Sequence, residues 1–124
     1  MFSWGHGKAG RLGHGNEDTY AEPSLIQSLA IAAHHHHMKV VQVAAGENHS
    51  LAVTDSGVVY SWGSDKSGQL GHSGVKSSKA SSALNFSLTP QKVDSLKKLF
   101  VLGIAAGLNV YFKYLFTCCF IENK

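Results

Sequence analysis

Four consecutive histidines, His34–His37, are the residues of this chain best suited to chemistry, because imidazole binds Zn, Cu and Ni. A structural zinc site takes four ligands in a fixed geometry, with spacers between the ligand pairs. A run without spacers is typical of a solvated tract in a surface loop, and adventitious metal affinity stays open as the alternative. We therefore predict no dedicated metal site.

Gly5, Gly7 and Gly10 form a Gly-x-Gly-x-x-Gly pattern after the short segment FSW, which formally matches the dinucleotide-binding fingerprint. That fingerprint requires a helix at the glycines and an acidic residue about 20 positions later. Two more glycines follow at once instead, at positions 13 and 15. We predict no cofactor, and because the sequence shows no acid/base pair, nucleophile elbow or phosphate loop, we predict no enzymatic activity.

Composition and charge further limit the functional classes to which this protein can belong. The 124 residues allow one ordinary domain, and a net charge of +3 is too small to indicate a nucleic-acid binder. Cys118 and Cys119 are adjacent, and bridging neighbours would strain a disulfide, so both are expected as reduced thiols. The sequence favours a reducing compartment, the cytoplasm or the nucleus.

The chain contains an internal repeat. FSWGHGKAGRLGHG (2–15) recurs as YSWGSDKSGQLGHSG (60–74), and VAAGENHS (43–50) recurs as IAAGLNVY (104–111). Trp4 and Trp62 lie 58 positions apart, whereas Gly46 and Gly107 lie 61 apart. Insertions of six residues near 30–37 and nine near 75–87, interpreted as surface loops, explain the difference and leave a core unit of 52.

Each unit has the local pattern of β-strands. Strands are predicted over VVQVAAG (40–46), SLAVT (50–54) and VVYSW (58–62), with a tight hairpin at 55–57. LIQSL (25–29) and PQKVDSL (90–96) each add a strand. About four strands per unit is typical of a propeller blade, so the predicted fold is all-β: two consecutive four-stranded blades of an incomplete, unclosed propeller.

The run VAAGENHSLAVTDSGVVYSWGSDKSGQLGH (43–72) resembles the repeats of the regulator of chromosome condensation family, whose members form seven-bladed propellers. Its markers are predicted to be structural. The tryptophans pack between blades in similar surroundings, with each indole N–H on one acceptor, and His49 caps the turn at Gly46 through a ring nitrogen. Gly10, Gly13, Gly68 and Gly71 are predicted to let a tight loop pass close to its neighbour, and Leu12 and Leu70 are predicted to fill the core. The markers are Trp4, Gly10, Leu12, Gly13, Gly46, His49, Trp62, Gly63, Gly68, Leu70 and Gly71.

The last residues depart from the repeat. We assign 1–107 to about two repeats, opening in the middle of one at Phe2, and 108–124 to a hydrophobic tail in which Val110 and Tyr111 replace His49 and Ser50. Low charge favours a partly unpaired, aggregation-prone strand. A membrane anchor over 99–121 stays open as the less favoured alternative, because Lys113 lies within it.

The resemblance implies several functions. One branch of the family catalyses nucleotide exchange on a small GTPase, and others are photoreceptors, ubiquitin-ligase domains or scaffolds. The plant photoreceptors are marked by Gly-Trp-Arg-His-Thr strings, whereas this chain has GENHS and GLNVY, so photoreception is not expected. We predict a non-enzymatic protein-interaction module from a larger propeller, with exposed blade faces able to self-associate. Part of an exchange regulator that acts on a small GTPase, and a non-functional truncation product, are the alternatives.

Overall fold

Eight β-strands and one α-helix make up the regular structure in the computed structural model, which describes residues 1–72, 85–107 and, as backbone only, 118–122. The three strands predicted between residues 40 and 62 are confirmed close to their expected bounds. The elements are β1 (Phe2–Gly5), β2 (Tyr20–Leu25), α1 (Gln27–His36), β3 (Val40–Ala45), β4 (His49–Thr54), β5 (Val59–Ser64), β6 (Phe86–Lys92), β7 (Phe100–Ala105) and β8 (Cys118–Glu122).

The strands form three antiparallel sheets, β1–β2, β3–β4–β5–β6 and β7–β8. The all-β class is confirmed, but the strands are divided into one complete blade between two half blades rather than into two blades. The cause is the tight turn between β4 and β5, where Gly57 has a φ of +74° and donates its N–H to the Thr54 carbonyl at 2.9 Å. This turn keeps β4 and β5 in one sheet, so each sequence repeat starts in the middle of a blade.

The two copies of the repeat have the same backbone conformation in the loop after Ser-Trp. Gly5 and Gly63 have φ values of +102° and +101°, and Gly10 and Gly68 have +71° and +75°. Gly13 and Gly71 follow at +82° and +68°. The repeat found in the sequence is therefore also a repeat of structure.

Both faces of the central blade pack against apolar side chains, so β4 and β5 are buried at almost every position. One cluster fills the space between the central blade and β7, and the other lies between the central blade and the segment that enters α1. The first contains Leu51, Val53, Val59, Val93, Val101 and Ile104, and the second contains Ile26, Leu29, Ala52, Tyr60 and Trp62.

Gln42 also joins the central blade to β7. Its side-chain amide donates to the Ile104 carbonyl at 2.9 Å and accepts from the Ile104 N–H at 3.2 Å. One amide side chain thereby satisfies both backbone groups of a residue in the next sheet.

The segment predicted as a strand over Leu25–Leu29 and a loop over Ala30–His37 is largely helical. β2 ends at Leu25, and α1 runs from Gln27 to His36, ending where His37 takes a left-handed φ of +49°. The segment is rich in alanine, a strong helix former, and the helix brings Leu29 onto the same buried face as Ile26. The local strand prediction missed this packing.

The strand predicted over Pro90–Leu96 is also shifted. β6 covers Phe86–Lys92, and Asp94–Leu96 form a 3₁₀ turn. Pro90 is tolerated because β6 is the edge strand of its sheet, so its missing N–H breaks no ladder in the interior. Of the insertion predicted at 75–87, residues up to 84 lie outside the described residues, and Phe86 and Ser87 begin β6.

The hydrophobic tail supplies a strand that extends the repeat. β8 pairs with β7, matching Ile104 with Cys119 and Ala105 with Cys118, as β4 pairs with β3 through Val43 with Ala52 and Ala44 with Leu51. The register shifts at the equivalent point of both pairs. The thiols of Cys118 and Cys119, and residues 108–117, lie outside the described part of the chain. In the part that is described, we find no helix with the length and apolar character that a bilayer crossing requires.

Candidate functional site

A serine in each repeat folds the following loop back onto its own strand. Ser3 donates to the Leu12 carbonyl at 2.6 Å and lies 3.0 Å from His14 Nε2. In the second copy, Ser61 donates to the Leu70 carbonyl at 2.7 Å and lies 2.9 Å from His72 Nε2. The matching Ser-Trp-Gly and Leu-Gly-His strings contain this signal, but the sequence analysis gave these serines and histidines no role.

We expect Ser61→Ala to lower the free energy of unfolding by about 1 kcal/mol, because Ser61 is fully buried and its loss leaves the Leu70 carbonyl without this donor. Ser3→Ala is the matched control and should cost less, because Ser3 is only partly buried. Urea unfolding followed by circular dichroism measures both. Equal losses would contradict this account.

Trp62 packs against the loop of the first repeat. Its indole N–H donates to the Arg11 carbonyl at 2.9 Å, and the Ser50 hydroxyl donates to the same oxygen at 2.8 Å. A β-carbon at Gly13 would lie 2.9 Å from Trp62 Nε1, so only glycine lets the loop approach the ring this closely. Leu12 and Leu70 are buried, each in the loop of its own repeat.

Trp4 and Trp62 do not share the similar surroundings that the sequence predicts, because Trp4 is 57% exposed and Trp62 only 1%. Trp62 is covered by Arg11, which lies 51 positions earlier in the chain. The difference in exposure between the two tryptophans is therefore set by the residues that pack against each ring and not by the repeated sequence itself.

The Arg11 side chain ties two loops together. Its Nη1 donates to the Glu47 carbonyl at 2.6 Å, its Nη2 donates to Asn48 Oδ1 at 2.6 Å, and its Nε donates to the Lys8 carbonyl at 2.8 Å. The guanidinium thus fixes the turn between β3 and β4 to the loop after β1.

His49 is buried, and over the described residues neither of its ring nitrogens has a hydrogen-bond partner. The turn that the ring was predicted to cap is closed by the backbone, with the Gly46 N–H donating to the His49 carbonyl at 2.9 Å. The ring packs on Gly46, where a β-carbon would lie 2.6 Å from His49 Nδ1. Gly63 pairs with His49, and a β-carbon there would lie 2.7 Å from His49 Cα. Burial lowers the pKa of the His49 imidazole below its ordinary value.

The loops at which β1, β3 and β5 end lie at one end of the sheets, and we call residues 6–19, 46–48 and 65–72 the loop end. Besides the Arg11 bonds, the Ser64 N–H donates to the Asn48 carbonyl at 2.7 Å. Exposed charges of both signs cover this surface, at Lys8, Glu17, Asp18, Glu47 and Lys66. The loop end is a polar surface held by hydrogen bonds between loops.

The residues first considered for chemistry are not assembled into a site. In the described ranges no three histidines, cysteines or carboxylates come together in a way that could hold a metal ion. His34–His37 are exposed at the end of α1. The Gly5–Gly10 segment leads into a 3₁₀ turn at Lys8–Gly10, and the backbone of Asp18 fills the space above Gly7.

A four-stranded antiparallel blade with matching half blades on either side defines a β-propeller repeat protein. Comparison with known families agrees: the Regulator of chromosome condensation (RCC1) repeat matches residues 1–53 and 56–110, and a second model of that repeat matches 40–69. The chain belongs to the RCC1 repeat family, as its sequence predicted.

Its curated relatives are much longer proteins. The chain is 37% identical over 107 residues to the Ultraviolet-B receptor UVR8 of Arabidopsis thaliana, covering 86% of this chain and 21% of that protein. It is 37% identical over 107 residues to the E3 ubiquitin-protein ligase HERC2 of Homo sapiens, covering 86% of this chain but 2% of HERC2. Protein RCC2 of Mus musculus is 42% identical over 71 residues, which are 57% of this chain and 12% of RCC2.

Solved structures show the same fold. Prp20p of Saccharomyces cerevisiae, studied for its binding to Gsp1p and histones, matches with a TM-score of 0.63 and 25% identity over 87% of this chain and 24% of Prp20p. Human WBSCR16 matches with a TM-score of 0.63 and 24% identity over 86% of this chain and 24% of that structure. The chain is thus an RCC1-repeat segment similar to about a quarter of an RCC1-family propeller.

Proposed function

We propose that this chain is a non-enzymatic protein-binding part of an RCC1-type propeller, which uses its loop end to contact the partner in the cytoplasm or nucleus. The observation that carries the proposal is the Arg11 side chain, whose two 2.6 Å hydrogen bonds fix two loops of different sheets relative to each other. Loops fixed before binding lose less conformational entropy when a partner docks.

Relatives support a protein as the partner. Prp20p, whose fold this chain shares, binds Gsp1p and histones, and it has also been solved bound to Kap60. The mixed charges of the loop end favour recognition through charge complementarity, which is weakened by salt. No cofactor is required for this role. Ligase activity in a relative such as HERC2 is not transferred, because the shared segment is 2% of that protein.

The binding proposal is tested with Gsp1p, core histones and Kap60 as probes, each titrated with the chain at physiological salt. Reversing three loop-end charges in Lys8→Glu/Glu47→Lys/Lys66→Glu should weaken binding of at least one probe about tenfold or more, a loss of about 1.4 kcal/mol. The matched control Glu22→Lys/Lys39→Glu/Lys92→Glu changes the net charge equally, at exposed residues of β2, of the segment before β3 and of the last position of β6, all outside the loop end. Equal weakening by both variants, or no binding of any probe, would refute the proposal.

An exchange regulator is the second candidate, favoured by the similarity to the Gsp1p-binding Prp20p. It predicts that the chain accelerates release of bound guanine nucleotide from Gsp1p, measured with a fluorescent nucleotide. Acceleration would replace the binding proposal by this one. A non-functional truncation product, the third reading, predicts no cooperative unfolding transition.

A further inference from the structure

The end of the loop after β1 and the start of β2 place acidic residues on both sides of one threonine. Glu17, Asp18 and Glu22 are three of the eight acidic residues of the chain, and they lie within six positions of sequence. Thr19 directly follows the first two and precedes Glu22 by three positions. Every other serine and threonine of the chain lacks an acidic residue at the third position after it. The sequence therefore sets Thr19 apart from the other hydroxyl side chains.

Thr19 is exposed in the irregular segment directly before β2. The backbone on its N-terminal side is held in place, since the Asp18 N–H donates to Asn16 Oδ1 at 3.2 Å and the Asp18 backbone packs against Gly7. The three carboxylate side chains around Thr19 are exposed as well. A hydroxyl in an exposed, irregular segment is accessible to another enzyme without the core having to open.

The equivalent segment of the central blade shows how much of this exposure a neighbouring repeat removes. β2 corresponds to β6 in its pairing, which places Thr19 at the position of Phe86 and Glu22 at that of Thr89. The loop of the first repeat packs beside β6 and donates a backbone N–H to the Leu88 carbonyl at 3.0 Å, yet Phe86 and Thr89 stay partly exposed. A further repeat packed in the same way against β2 would leave Thr19 and Glu22 partly exposed too.

The adjacent hydroxyl, on Tyr20, is engaged within the fold. Its oxygen accepts from the Asn16 side-chain amide at 3.0 Å, and the centroid of its ring lies 4.4 Å from that of the His14 ring. Tyr20 is also less exposed than Thr19. Thr19 is therefore the hydroxyl of this segment that a modifying enzyme reaches more easily.

We propose that Thr19 is the acceptor of a phosphoryl group from an acid-directed serine/threonine kinase, and that the phosphate regulates partner binding at the loop end. The regulatory part rests on the proposed function. Carboxylates before the acceptor and at the third position after it are complementary to a basic substrate groove in the kinase.

The reaction is an ordinary phosphoryl transfer from ATP. Thr19 Oγ1 forms a bond to the γ-phosphorus of Mg-bound ATP, and the bond from that phosphorus to the oxygen that it shares with the β-phosphate breaks to release ADP. The hydroxyl proton passes to the catalytic base of the kinase.

The phosphate makes the loop end strongly negative. A phosphothreonine carries a charge of about −1.5 to −2 at pH 7. The unmodified loop end has three basic and four acidic side chains and therefore a net charge of −1 with its histidines neutral. Phosphorylation thus attracts a basic partner more strongly and repels an acidic one. The charged residues counted are Lys8, Arg11, Lys66, Glu17, Asp18, Glu47 and Asp65.

The acceptor is identified by incubating the chain with casein kinase II and Mg-ATP and locating the phosphate by mass spectrometry. We expect the principal phosphate on Thr19, its loss in Thr19→Ala and its return in Thr19→Ser, which keeps a hydroxyl at this position. A wild-type chain that takes up no phosphate, or a Thr19→Ala variant that takes it up at the wild-type rate, would overturn the proposal.

Glu22→Gln tests whether the acidic residues direct the kinase. We expect kcat/KM for phosphorylation of the chain to fall about tenfold, because the variant loses the carboxylate that pairs with the basic groove. Glu47→Gln is the matched control, an exposed carboxylate of the loop end that is distant from Thr19 in sequence, and it should keep the wild-type value. Equal values for Glu22→Gln and the wild type would contradict recognition through these carboxylates.

Binding of core histones, used as a basic probe, tests the regulatory part. We expect the phosphorylated chain to bind them about fivefold or more tightly than the unmodified chain at low salt, with a smaller difference at high salt because exposed charges are screened. Thr19→Ala treated with the same kinase is the control and should bind as the unmodified chain does. Phosphorylation at Thr19 with no change in histone binding would refute the regulation. Failure of the unmodified chain to bind Gsp1p, histones or Kap60 refutes the proposed function instead and leaves the phosphorylation of Thr19 established.

Discussion

Replacing Trp62 by alanine is expected to lower the free energy of unfolding by about 3–5 kcal/mol, the range for removing a buried large aromatic side chain. Trp62 is 1% exposed and shares a cluster with Tyr60 and with Ile26 and Leu29. The substitution also removes the indole N–H donated to the Arg11 carbonyl, although Ser50 still donates to that oxygen. Most of the lost free energy comes from the cavity that the substitution leaves in this cluster.

Trp4→Ala is the matched control, because the same residue type occupies the same repeat position with 57% of its surface exposed. We expect its effect to stay within about 0.5 kcal/mol, the usual range for an exposed position. Urea unfolding followed by far-ultraviolet circular dichroism measures both, at a dilution where the chain is monomeric. Similar losses of unfolding free energy for the two variants would show that Trp62 does not hold the central blade against the loop of the first repeat.

Acidification below about pH 6.5 is expected to destabilise the fold through His49. Burial lowers the pKa of the His49 imidazole, so the folded chain holds this group neutral while the unfolded chain protonates it. The unfolded state then binds more protons, and the free energy of unfolding falls with pH by at most about 1.4 kcal/mol per pH unit from this one group. Above about pH 6.5 the imidazole at position 49 is neutral in both the folded and the unfolded state, so it no longer makes the free energy of unfolding depend on pH.

His49→Leu tests this directly, since neither ring nitrogen makes a hydrogen bond to a described residue that leucine would lose. The variant should show a smaller loss of stability than the wild type between pH 7.5 and 5, measured as urea midpoints. His35→Gln, at an exposed position on α1, should keep the wild-type pH dependence. If His49→Leu and the wild type lose stability in parallel, His49 does not titrate as proposed.

The candidate site was only partly predictable. The strings around Trp62, Gly13 and Leu70 mark the repeat, because a loop that passes close to its neighbour needs glycine at fixed positions. The Ser61–His72 contact and the Arg11 bonds to Glu47 and Asn48 were missed. They join residues up to 37 positions apart, and no local pattern encodes which side chain will meet a carbonyl of another loop.

The sequence by itself determined the class of fold and the strands β3, β4 and β5, because strand propensity, the 55–57 turn and the repeated strings are all local. Only the tertiary structure decided that Leu29 belongs to a helix, since its burial beside Ile26 overrides the local preference. Tertiary structure also decided that the His49 ring has no hydrogen-bond partner in the part of the chain that the structure describes, and that Trp62 is buried while Trp4 is exposed. The two tryptophans have the same local sequence, and burial depends on which surface the rest of the chain brings against each.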